Sequence, residues 1–519
     1  MACFSTALLH AQTTGISLQS ISNYKQWGWN AIVMQNDFIT IAAVPAIGGR
    51  VMQYDLGNLS SIFIDSTMLG KTYTPAQDRL WHNFGGYKTW PSPQSRWPGT
   101  WPPPPTLDYG NYTFQADSSS KDSVSVLVTS PVEQWIAPGI RYERKATMYP
   151  GTSRVKLEQT MSNEGITAVN WGMWSITQSI VNHTGKTDYQ NYWVYFPINP
   201  NSVYGQSGVS QHDSSGVWKG EIASGVYGVQ FNTDGHLIYS DPHKGWIAYA
   251  SLSDTVVFAK TFDIFEGAHY PDSARVTVYV SGPFPPVYLE VEVKSPIVEL
   301  APNGGSYTFT ENWWAAKVRA PILEVNSIGA IANRLSYNSA TQILSAIYGI
   351  FYEGTANVVF LDGNGHILSE GQRHIVSPVA EVQLQETIAI PNGAKTAEVQ
   401  VRNVKGDLIG ILDSVDVSQL LTDVDIKTPT FPLEYYLAPN YPNPFNPTTT
   451  ISISVPIRGF VSLKVYDLLG RQVADLINQI LAPGTYQTSF DGSHLTSGVY
   501  FYRLEAGIFR ETKKLILLK

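Results

Sequence analysis

Apolar residues in this chain alternate with polar ones in short runs, and a period of two commits a backbone to half-buried strands. Phe38-Ile-Thr-Ile-Ala-Ala-Val44, Asp122-Ser-Val-Ser-Val-Leu-Val-Thr129, Arg154-Val-Lys-Leu-Glu-Gln-Thr160, Ala274-Arg-Val-Thr-Val-Tyr-Val280 and Val287-Tyr-Leu-Glu-Val-Glu-Val293 all read this way. Gly, Pro, Asn and Ser separate them, and no long stretch carries a helical period. The expected architecture is therefore all-β.

At 519 residues the chain exceeds one ordinary core, and about 150 residues per domain suggests three. Charged residues make up 15% and aromatics 12%, a balance that suits a weakly charged secreted β protein. The net charge is −8 and no basic run could follow a phosphate backbone, so nucleic acid is not an expected partner. No apolar run approaches the roughly 20 residues of a membrane span. Residues 1–15 read as a signal-peptide remnant, with cleavage after Ala11 and a truncated or misassigned start codon. Its removal would take the single cysteine, Cys3, and leave no disulfide or thiolate metal site.

After about Leu335 the texture becomes plainer. Asn357 to Leu368 reads as a hairpin around Asp-Gly-Asn-Gly, and Ala397 to Arg402 as a half-buried strand. Residues 332–420 are expected to form a small spacer sandwich, and the proline-containing stretch 421–440 a linker. Beyond it, Val461, Leu463 and Val465 alternate with polar partners before a turn at Asp467 to Gly470. Prolines 442, 444 and 447 hold an extended lead-in.

Residues 441–519 resemble the type A sorting domain of type IX (Por) secretion. The resemblance rests on Tyr441-Pro-Asn-Pro-Phe-Asn-Pro447, Val461-Ser-Leu-Lys-Val-Tyr-Asp-Leu-Leu-Gly-Arg471, Ser497-Gly-Val-Tyr-Phe-Tyr-Arg503 and a basic-then-aliphatic terminus, in that order. It implies the type IX machinery as a partner and an extracellular or cell-surface destination.

Residues 20–328 are similar to the galactose-mutarotase-like superfamily, and within it to an uncharacterised bacterial family. Four blocks carry this: Gly48-Gly-Arg50 with the strand after it, Trp81-His-Asn-Phe-Gly-Gly-Tyr-Lys-Thr-Trp90, Leu157 to Gly165 running into Trp171 to Gln178, and Tyr288-Leu-Glu-Val-Glu292 with Leu300 to Tyr307. The resemblance implies a large antiparallel β-sandwich followed by two small immunoglobulin-like sandwiches, and a carbohydrate ligand. A mutarotase opens a sugar ring with a glutamate and a histidine. Trp174 stands where that histidine is expected, which puts true aldose epimerase activity in question.

In Val287 to Lys294 the alternation puts Tyr288, Glu290, Glu292 and Lys294 on one face, with the two carboxyls about 7 Å apart by strand rise. That face is either a pocket or a solvated surface. Glu290 and Glu292, with His82 or Lys88, are the candidate catalytic groups. Four of the 14 tryptophans fall between Trp81 and Trp101 in a proline-stiffened segment. Trp90, Trp97 and Trp101 are candidate sugar-stacking residues from it, alongside Trp174, Gln178 and Tyr288. Arg50 and Lys260 are candidates for hydrogen bonds to hydroxyls or a uronate. His183, His212, His236, His243 and His269 are scattered singly, so no metal site is expected, and no cofactor is implied. Three functions remain open: epimerase-like acid/base chemistry on a sugar, a polysaccharide lyase acting on a uronate-containing glycan, and non-catalytic glycan binding or adhesion.

Overall fold

The computed structural model describes residues 11–13, 15–182, 189–210, 219–282, 285–421, 435–455, 459–481, 484–506 and 509–519. Cys3, His183, His212, most of the signal-peptide remnant and most of the 421–440 linker lie outside them. Strands dominate as the alternation requires, and the described α-helices are the five-residue Pro105–Tyr109 and Val417–Leu421. The chain divides into two compact units, Met1–Leu421 and Thr422–Lys519.

The first unit contains two cores. The larger lies between a 12-stranded and a 10-stranded sheet, with all strand pairings antiparallel. From the middle of the 12-stranded sheet to one edge run, in spatial order, Arg50–Leu56, Tyr87–Ser92, Val169–Ser179, Leu289–Lys294, Val276–Val280 and His236–Ser240. Opposite them, Val256–Phe262, Gly305–Lys317 and Val155–Asn163 are central in the second sheet. Each expected run in this region is a strand, with ends shifted by one to three residues. The smaller core, from Ile328 to Leu420, lies between a four-stranded and a five-stranded sheet. The expected hairpin is there: Gly354–Leu361 pairs with Ile367–Glu370, and Asp362 accepts from the amides of Asn364 and His366 to hold the turn.

The two cores are joined by packing as well as by chain. Trp314 is 1% exposed and stacks on Phe351 at 5.0 Å, while Arg319 grips Glu381 with a forked ion pair. Because the second core covers a large indole of the first, a fragment ending at residue 325 is expected to melt well below residues 15–421. Trp314→Ala in the longer fragment should cost about 3–5 kcal/mol, read by denaturant titration. Equal midpoints for the two fragments would show that the contact stabilises nothing.

In the second unit a three-stranded and a four-stranded sheet enclose Val461, Leu463 and Val465, each fully buried, with Tyr502, Leu504, Leu515 and Leu517. Tyr436–Leu437 is already part of the smaller sheet, paired with Thr448–Val455. The turn after the strand Gly459–Tyr466 closes through the Gly470 amide on the Asp467 carbonyl at 3.0 Å.

Candidate functional site

Cross-strand register on the 12-stranded sheet builds the site from three transverse rows. Trp90, Trp174 and Lys294 form the first; Lys88, Ile176, Glu292 and Thr277 the second; Gln178, Glu290 and Tyr279 the third. Side chains in register share a face, so all of these stand on the side away from the second sheet. That face is a pocket. Glu292 is fully buried and Glu290 is 9% exposed, which removes the solvated-surface alternative. Both carboxyls line a cleft of about 280 Å³, small among ligand sites, whose volumes run from roughly 300 to 1,000 Å³. Its walls are Trp81, Trp90, Trp101 and Trp174 on one side, with Tyr279, Tyr288 and Leu237 on the other.

The two carboxyls differ in their partners. Glu290 Oε1 accepts from Lys88 Nζ at 3.1 Å and from Gln178 Nε2 at 2.9 Å. Glu292 Oε2 accepts from the Trp174 indole at 2.7 Å, and its Oε1 meets no donor. Burial, then the charge of Glu290, pushes the Glu292 carboxyl up to about 8, so it keeps its proton at neutral pH and can share it with Glu290. Burial draws the Lys88 and Lys294 ammonium groups down, opposed by Glu290 and by Asp272 respectively. Lys294 Nζ lies 2.7 Å from Asp272 Oδ2. Both of these cations are thus already paired.

Of the residues expected from sequence, Glu290, Glu292, Trp90, Trp101, Trp174 and Tyr288 line the cleft. Lys88 and Gln178 lie under it and hold Glu290. Four others stand elsewhere. His82 stacks on Tyr73 at 3.5 Å and pairs with Asp78 at 3.0 Å, while its neighbour Trp81 turns into the cleft. Trp97 is 2% exposed, bonded to the Pro91 carbonyl and packed edge-on against Trp90, so it supports the wall without forming it. Arg50 is fully buried against Asp108 and the Gly85 carbonyl. Since Asp108 also accepts from the Trp90 indole at 2.9 Å, Arg50 positions that wall from behind. Gly48 makes room for this: at φ +77 a Cβ there would sit 2.0 Å from the Asp108 carbonyl oxygen. Lys260 lies between the two sheets, 3.5 Å from Glu311 and 3.3 Å from Ser175 Oγ, in a polar network that includes Gln159 and Thr89. It cannot touch a ligand in the cleft because the sheet intervenes.

Trp81, Gln94, Leu237 and Tyr279 complete the lining; Trp81 was read from sequence only as a member of the tryptophan cluster, and the other three were not singled out. Tyr279 carried a signal, since it alternates with Val276, Val278 and Val280 just as Glu290 does with its valines. Among the described residues no group of His, Cys, Asp and Glu could hold a metal ion, and no helix is long and apolar enough to cross a membrane.

Similar solved structures include a galactose mutarotase-like protein from Clostridium acetobutylicum, 10% identical, covering 58% of this chain and 98% of that one at a TM-score of 0.38. Another from Lactobacillus casei is 12% identical over 55% and 99%, at 0.35. Both matches cover little more than half of the chain, whose N-terminal part is the large sandwich. No curated protein is significantly similar in sequence to this chain. Residues 440–518 match the secretion system C-terminal sorting domain, so the chain carries the type IX signal for the cell surface or the extracellular space.

Proposed function

We propose that the large sandwich is a secreted sugar-processing module whose Glu290–Glu292 pair performs epimerase-like proton transfer on a sugar held against the tryptophans. The carrying observation is that two neighbouring carboxyls share an indole-walled cleft in different states: Glu290 is ion-paired with Lys88, and Glu292 retains a proton. An acid beside a base is what ring opening needs. A pyranose entering the cleft would replace the carboxyl–carboxyl contact with its anomeric hydroxyl and ring oxygen. Glu290 takes the proton from the anomeric hydroxyl as Glu292 gives its own to the ring oxygen. The bond between the anomeric carbon and the ring oxygen breaks with its electron pair on oxygen, and the anomeric carbon becomes a carbonyl. Rotation and the reverse steps reclose the ring on the other face. In this scheme Trp174 does not act in place of the missing histidine; its indole N–H orients the Glu292 carboxyl.

The lyase reading is weaker, because a uronate needs a free cation, whereas Lys88 and Lys294 are paired with Glu290 and Asp272. Glycan binding without catalysis is favoured by one feature: Trp101, 45% exposed at the cleft, is placed to stack on a ligand from solvent. A glycan array on the full chain, followed by NMR of anomer interconversion for each reducing sugar bound, tests the proposal. Interconversion above the uncatalysed rate is expected. Binding without it would leave a lectin-like module, and no binding to any glycan would remove the carbohydrate reading. Trp101→Ala should raise Kd about tenfold, as loss of a stacking face worth about 1.4 kcal/mol requires.

A further inference from the structure

Beside the glutamate cleft lies a second hollow of about 490 Å³, floored by the strand Arg50–Leu56 and lined by Lys25, Trp27, Gln53, Asp55, Phe63 and Asn182. Phe63 and Tyr288 divide it from the first: their rings stack at 5.4 Å, with Phe63 lining one cleft and Tyr288 the other. Its floor carries buried polar side chains. Gln53 and Asp55 are 4% and 7% exposed, and Gln53 Nε2 donates to Asp55 Oδ2 at 2.6 Å. That bond fixes the amide orientation and leaves Gln53 Oε1 and Asp55 Oδ1 without partners, as is Asn182 Oδ1. Lys25 Nζ, 3.5 Å from Asp55 Oδ2, reaches the occupied oxygen. Burial and then Asp55 raise the pKa of the nearby Tyr24 phenol, so it stays protonated.

Gln53, Asp55, Asn182 and Lys25 bring hydrogen-bonding side chains to the hollow, and Trp27 and Phe63 supply flat apolar surface beside them. Hydroxyl-rich rings have that combination of donors and apolar faces. We infer that this hollow is a second sugar subsite, so that the ligand is a neutral oligosaccharide lying across the Phe63–Tyr288 divide with one unit in each cleft. The inference rests on the carbohydrate reading of the first cleft and extends it from a single sugar to a chain.

The test is calorimetry on the full chain with neutral homo-oligosaccharides of one to four units from the gluco, manno and galacto series. In at least one series the disaccharide or trisaccharide should bind about tenfold or more tightly than its monosaccharide. Asp55→Asn should collapse that ratio towards one, and Ser60→Tyr, which fills the hollow from the half-buried position directly across the strand pair from Asp55, should do the same. Far-UV circular dichroism and melting of both variants show whether they fold; if Asp55→Asn does not, Ser60→Tyr alone decides. A length advantage that survives Ser60→Tyr, or monosaccharide and oligosaccharides binding equally, would overturn the second subsite and leave the first cleft's reading intact. Oligosaccharide binding lost in Ser60→Tyr but unaffected by Trp101→Ala would instead sink the first cleft's reading. Binding of nothing in any series overturns both.

Discussion

Glu290→Gln and Glu292→Gln are each expected to lower anomer interconversion by roughly two to four orders of magnitude while ligand binding largely persists. Gln keeps the length and hydrogen-bonding reach of Glu, but at position 290 it cannot take a proton and at 292 it cannot give one. The two variants should part company in stability. Glutamine at 292 mimics the protonated acid: its oxygen can accept from the Trp174 indole and its amide can donate towards Glu290. The sign follows from the raised pKa. Below the usual glutamate range Glu292 is protonated in both folded and unfolded chains and costs nothing. Between that range and about 8 the unfolded chain releases the proton and the folded chain must hold it, so stability falls as pH rises across this window. Glu292→Gln removes this slope, and at pH 8 it should melt higher than the parent, with the gap closing by pH 4. Glu290→Gln should melt lower, because it leaves Lys88 buried without its counter-charge. Turnover should decline above pH 8 as Glu292 loses its proton. Full turnover in both variants, on a sugar the parent converts, would end the proton-transfer mechanism.

Deleting residues 435–519 should leave the protein in the periplasm of a host with type IX secretion, and surface or medium fractions should hold none of it. The deleted piece is a module with its own core, in which Leu437, Phe445, Val461, Leu463, Tyr502 and Leu517 are all buried. The remaining residues keep both cores of the first unit, so a failure of export would reflect loss of the signal and not of folding. Fusing residues 435–519 to an unrelated periplasmic reporter should carry that reporter out. Unchanged surface display of the truncated chain would show that the module is dispensable for export.

Much of the fold was readable from alternation because strand residues two apart share a face whatever the tertiary context. That rule put Glu290 and Glu292 side by side with Val291 and Val293 turned to the core, and it put Val461, Leu463 and Val465 inside the sorting module. The clustering of tryptophans between Trp81 and Trp101 also foretold an aromatic wall, although Trp81 and not Trp97 belongs to it.

Alternation fails where a strand is apolar on both faces. Val256–Phe262 carries Val256, Phe258, Lys260 and Phe262 on one side and Val257, Ala259 and Thr261 on the other, so nothing local says that Lys260 points between the sheets. Arg50–Leu56 is buried throughout, and the role of Arg50 depends on Asp108, far away in sequence. His82 had a local partner in Asp78 four residues earlier, and that pairing, with Tyr73 stacked above, turns the ring away from the carboxyls. Local sequence thus determined which side chains share a strand face and that the carboxyls come as a pair. Only long-range register decided that Trp90 meets Trp174 and that Lys88 and Gln178 converge on Glu290. Those contacts join strands separated by tens to hundreds of residues, and strand pairing, which no local pattern encodes, sets them.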